Sequence, residues 1–271
     1  MSVFADLPRI IQPSDLLPRL DAPELILIDL SPAEDYLAGH IAQARWVDSK
    51  RTQRAGEAVP GLVPDLAQLN ALFSEIGHRD DATYVVYDNE GGGWAGRFAW
   101  LLDVIGHDNW HYLDGGRQAW VADQLPLSSE HPAISTTSVN LSIHTAPTAT
   151  REYVQQRLGS ADVAIWDARS PAEFRGEKVL AQRGGHIPSA VNFEWTAAMD
   201  PARGLRLRQD LPALLDELGI TADKEIITHC QTHRRSGLTY LIARVMGFPR
   251  IKAYAGSWSE WGNTPDTPIE S

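Results

Sequence analysis

Cysteine is nearly absent: the 271 residues contain one. A single thiol cannot close an internal disulfide, and that usage fits a reducing compartment such as the cytoplasm. Long apolar runs are missing too, since no stretch approaches the roughly 20 residues that a membrane span requires. The first residues, MSVFADLPRIIQPSDLL, have no basic segment leading into an apolar one, so no signal peptide is expected. Cations are in deficit, with 24 Lys and Arg against 35 Asp and Glu and a formal charge of −11. Such a surface disfavours a nucleic-acid or anionic-membrane partner. What remains, 43% hydrophobic and 22% charged residues, is the composition of a soluble globular protein with an adequate core.

What is present is present twice. Residues 27–41, LIDLSPAEDYLAGHI, and 165–187, IWDARSPAEFRGEKVLAQRGGHI, both pass from an apolar run into Asp, Ser-Pro-Ala-Glu and Gly-His-Ile. Gly106, Gly115 and Trp120 recur with the same spacing as Gly247, Gly256 and Trp261. Shared order and spacing imply a duplication. Within each half, short runs rich in β-branched residues (ELILIDL, TYVVYD, VAIWDA, EIITH) read as buried strands. Between them lie helical patterns, such as Leu238, Leu241, Ile242, Val245 and Met246 on one face, with Gly247 as the stop. The expected fold class is α/β: two similar domains, each a mostly parallel sheet flanked by helices. Residues 1–126 and 148–271 form the domains, joined by a linker over 127–147 that is rich in Pro, Ser and Thr.

The lone thiol, Cys230, lies in HCQTHRRSG, residues 229–237, between a strand and a helix. In open α/β sheets ligands bind at that edge. Unpaired N–H groups and the helix dipole favour an anion there, and His233, Arg234 and Arg235 add positive potential. A thiolate is thereby stabilised. The equivalent stretch of the first half, YDNEGGGWAG, places Asn89 at the cysteine position and Trp94 at that of Arg235. That half is expected to be chemically silent, and its glycines lack the Lys-Ser/Thr of a phosphate loop. No metal site is indicated. His40 and His186, in the Gly-His-Ile motifs, are expected to fix turns, and Trp120 and Trp261 to pack in the core.

As a set, these motifs and the closing AGSWSEWGNTPDTPIE resemble the tandem-domain rhodaneses, thiosulfate:cyanide sulfurtransferases. The resemblance implies a persulfide on Cys230, formed from thiosulfate and discharged to cyanide or a thiol, with no cofactor. It also implies substrate binding by Gln231, Thr232, His233, Arg234 and Arg235. The loop CQTHRR is most similar to the CQTHHR loop of a bacterial group, with Arg234 for the second histidine. Glu173 stands where the animal enzymes place a substrate-binding arginine, and this favours thiosulfate over mercaptopyruvate. Two other functions are consistent with a reactive cysteine here. A cysteine phosphatase would need His-Cys-x5-Arg, but Arg235 comes one position early. A non-catalytic sulfur carrier or regulatory module is the third.

Overall fold

The apolar runs become the central strands of two parallel sheets, as their burial on both faces requires. The computed structural model of the protein describes residues 2–56 and 58–271. Its first half runs β1 (Ile10–Ile11), α1 (Pro13–Leu16), β2 (Leu25–Asp29), α2 (Ala33–Ala38), β3 (Arg45–Trp46), α3 (Leu66–Glu75), β4 (Thr83–Tyr87), α4 (Gly93–Val104), β5 (Trp110–Leu113) and α5 (Gly116–Ala122). The second half begins with β6 (Thr148–Ala149), α6 (Arg151–Arg157), β7 (Val163–Asp167), α7 (Pro171–Phe174) and β8 (Val191–Asn192). An antiparallel pair follows, β9 (Met199–Asp200) and β10 (Arg206–Leu207). The half then closes with α8 (Leu211–Glu217), β11 (Glu225–His229), α9 (Arg235–Val245), β12 (Ile251–Tyr254) and α10 (Ser257–Trp261). The sheet orders are β1-β5-β4-β2-β3 and β6-β12-β11-β7-β8, so every strand of one sheet has its counterpart in the other. The duplication is one of topology as well as sequence.

The recurring motifs do the same local work in both halves. His40 and His186 stack on Tyr36 and Phe174, with ring centroids 3.8 and 3.6 Å apart. Each histidine Nδ1 also bonds the carbonyl of the ring residue it covers. Trp120 and Trp261 are fully buried and donate to the Pro126 and Pro268 carbonyls, fastening the chain that leaves each domain. The linker has no helix and lies extended over the first half, where Thr137 and His144 donate to the Ser74 and Val104 carbonyls.

The halves meet through α4 and α9. A Cβ on Gly96 would lie 2.2 Å from the Gly237 carbonyl oxygen, and one on Gly237 would lie 2.4 Å from that of Gly93. Only glycine allows the backbones so close. Around the crossing, Phe98, Trp100 and Leu101 share one core with Leu238, Leu241 and Ile242, all fully buried. Each such aliphatic side chain contributes about 2 kcal/mol of burial. The interface is therefore core, and it brings the first half against the loop that carries Cys230.

Candidate active site

β11 is the central strand of its sheet, paired in parallel with β7 and β12. Its last residue, His229, lies beside Asp167, and the chain then turns through residues 230–234 into α9. His233 takes the left-handed conformation, with φ of 57°, which lets a short loop curl back on itself. The amides of Trp258 and Ser259 fasten the start of this loop by donating to the Cys230 and Gln231 carbonyls at 2.9 and 3.0 Å.

Cys230 is 1% exposed. Burial pushes its thiol up, but the Arg235 charge, the Ser236 hydroxyl and the amides of Ser236 and Thr232 outweigh burial, and the net shift is downward. The thiolate is thus favoured by a built environment and not by exposure. Beside it, Asp167 is held by Arg169, whose Nη2 lies 2.6 Å from the carboxylate. His229 is buried, bonds the Cys230 carbonyl through Nδ1 at 3.3 Å, and is kept neutral by burial. It is a structural histidine.

The cations of the loop differ from expectation. Arg235 is expected, from the resemblance, to bind substrate. Both terminal nitrogens instead hold Glu173, at 2.7 and 2.8 Å. Glu173 is itself fixed by Ser170 in the capping box of α7. Burial raises its carboxyl, but the Arg235 guanidinium outweighs this and holds it at about 2. What Arg235 gives Cys230 is charge. Arg234 is likewise expected to bind substrate. It reaches across the interface to Glu90 of the first half, and its guanidinium lies 5.3 Å from the Trp94 ring centroid. His233 was expected to add positive potential. Its ring is fully buried, lies edge-on to Trp100 at 4.4 Å and bonds Ser236 Oγ. Burial drives its pKa well below the usual histidine value, so it carries no charge. Gln231 donates its side-chain amide to the Leu180 carbonyl. Thr232 faces the first half with its carbonyl, near enough that a Cβ on Gly61 would lie 2.4 Å from it.

The first half, expected to be chemically silent, has no thiol in the equivalent loop. Its loop after β4 also forms a ring of amides, but the Asp88 carboxylate fills it, accepting from Glu90, Gly92, Trp94 and Ala95 at 2.8–3.0 Å. An anion is built in where the second half has a thiol. Asn89 donates to Asp35. The half is not devoid of cations at the site, however. Arg97, on α4, is fully buried and donates to the carbonyls of Thr232 and His233. Sequence reasoning passed over it, although one signal was there: a single cation inside the apolar run WAGRFAWLLDV. Among the described residues no group of three or more His, Cys, Asp or Glu side chains could hold a metal ion. No described helix is long and apolar enough to cross a membrane.

Comparison with known proteins agrees with this geometry. The pattern of the rhodanese-like domain matches the chain twice, over residues 12–123 and 150–264. A thiosulfate sulfurtransferase of Pseudomonas aeruginosa is 64% identical over 270 residues, covering 100% of both chains. One of Azotobacter vinelandii is 65% identical, also over 270 residues and 100% of both. The sulfur carrier protein TtuD of Thermus thermophilus is 31% identical, covering 93% of this chain and 92% of its own. Among solved structures, YnjE superposes with a TM-score of 0.86 at 22% identity, over 97% of this chain and 68% of that one, a likeness of fold.

Proposed function

This chain belongs to the rhodanese family, and from that premise we propose that it is a thiosulfate sulfurtransferase working through Cys230. One observation carries the reading: the only thiol of the chain lies at the carboxyl end of a central strand, where Arg235, Ser236 and two loop amides favour its anion. The Cys230 thiolate attacks the outer sulfur of thiosulfate with its electron pair. The S–S bond of the donor breaks, and its electrons leave with sulfite. Cys230 then carries a persulfide. Cyanide attacks the terminal sulfur, leaves as thiocyanate and returns the thiolate; a thiol acceptor takes the sulfur in the same way. These are two covalent half-reactions on one nucleophile.

The amides from Gln231 to Ser236 support the terminal sulfur much as an oxyanion hole supports oxygen. Gln231, Thr232 and His233 act through their backbone, and Arg235 and Arg234 through charge at the entrance of the loop. No cofactor is required. The lone cysteine supports a cytoplasmic location, and the acidic surface supports small-molecule partners over nucleic acid or membrane.

A second reading, a non-catalytic sulfur carrier or regulatory module that takes up sulfur without turning it over to cyanide, has its own support in the relative named as a sulfur carrier protein. Steady-state kinetics with thiosulfate and cyanide varied together separate the two. Parallel double-reciprocal lines are expected for the enzyme. Persulfide formation without cyanide turnover would favour the carrier, and turnover that survives Cys230→Ser would end both.

A further inference from the structure

The four carbonyls of residues 230–233 are each held by a donor outside the loop. The first turn of α10 holds two of them, those of Cys230 and Gln231. Arg97 holds the others: Nη1 lies 3.2 Å from the His233 oxygen and 3.4 Å from that of Thr232. A trans peptide is planar, with its C=O and N–H pointing opposite ways. Fixing the Thr232 and His233 carbonyls outward therefore turns the N–H groups of His233 and Arg234 inward, to the side where the Thr232 and Ser236 amides already meet Cys230. Neither of these two amides donates to another group among the described residues. They are free to meet a ligand on the cysteine.

Arg97 is placed for this task. It is fully buried, and its remaining donors go to Thr52 and to the carbonyls of Gly61 and Leu62, with the guanidinium 5.3 Å from the Trp100 ring centroid. No carboxylate touches it among the described residues. A buried cation without an anion is costly. Burial lowers its pKa to about 9, and the Cys230 anion is the group that opposes this. The Cys230 thiolate is thus the anion that partly offsets the buried charge of Arg97.

We propose that Arg97, in the chemically silent half, is a positioning residue that aims the His233 and Arg234 amides at the sulfur on Cys230 and balances its negative charge. The proposal rests on the reading of Cys230 as the sulfur carrier. It makes the first half part of the active site at one defined side chain.

The test uses the full chain with Arg97→Met and Arg97→Lys. Because Cys230 is the only cysteine, alkylation across a pH series reads its thiolate alone. The other charged groups around the loop, Arg234 with Glu90 and Asp88, Arg235 with Glu173, and Asp167 with Arg169, are unchanged in both variants. For Arg97→Met the thiolate midpoint should rise, with roughly tenfold slower alkylation at neutral pH. The persulfide formed from thiosulfate should also be lost faster. Arg97→Lys keeps the cation but not the fork, so its midpoint should stay low while kcat falls. A folded Arg97→Met variant with an unchanged midpoint would overturn the proposal. Should that variant not fold, Arg97→Lys decides, and wild-type kcat in it would overturn the positioning role. Wild-type protein that takes no sulfur from thiosulfate would defeat the sulfur-transfer reading as well. Wild type that transfers sulfur, beside variants that do not differ from it, defeats the Arg97 role alone.

Discussion

Around Cys230 the charges are arranged by pairs, and the pairs say which substitutions matter. Arg235→Ala removes the charge next to the thiol and leaves the buried Glu173 carboxylate without its cationic partner, held only by Ser170. It should cost about 3 kcal/mol of stability and lower thiosulfate turnover severely, read by denaturation and by kcat/KM. Arg234→Ala breaks a partly exposed pair with Glu90, worth under about 1 kcal/mol, and should change turnover only a few-fold. Equal effects of the two would mean that general positive potential suffices. The thiol itself makes stability depend on pH. Its folded pKa lies below the unfolded value, so the thiolate stabilises the fold above the unfolded value, and this contribution is lost as pH falls through the folded one. Wild type should therefore gain stability over Cys230→Ser as pH rises toward 9, the ordinary thiol value. Denaturation curves of both proteins at several pH values check this, and a difference that does not vary with pH would contradict it.

At the scale of elements, the proposed function makes the length of the loop between β11 and α9 the feature that selects sulfur. Cys-x4-Arg provides one amide fewer than the phosphatase ring, and Glu173 occupies the fork that would clamp a phosphate. No aryl-phosphatase activity is expected. A glycine inserted after His233 should reduce sulfur transfer, because it breaks the alignment of carbonyls outward and amides inward; unchanged transfer would show that loop length is immaterial. The elements themselves were legible in the sequence. The apolar runs gave β2, β4, β7 and β11, and the stripe from Leu238 to Met246 with its glycine stop gave α9. Local patterns carry that information because each strand and helix buries its own face. The pairing of Arg235 with Glu173 was not legible, since it depends on how α7 packs against the loop 62 residues later in the chain.

For the whole molecule, the repeat announced two domains, and the absence of a cysteine from the loop of the first copy led to the expectation that this copy is silent. What it could not announce is that the first copy plugs its own amide ring with Asp88 and sends Arg97 into the other half. Those contacts exist only once α4 and α9 have crossed at Gly96 and Gly237. Asn89→Ala should accordingly leave the chemistry at Cys230 nearly unchanged, as Asp88 and not Asn89 fills the ring. Separating the halves within the linker should instead expose the shared core and lose both solubility and activity, read by light scattering and turnover. A soluble, active second half would contradict an interface built as core.

The most direct measurement is intact mass. Wild-type protein treated with thiosulfate should gain one sulfur atom and lose it again on addition of cyanide, while Cys230→Ser gains none. A wild-type mass that does not change, or a sulfur atom taken up by the serine variant, would contradict sulfur transfer through Cys230.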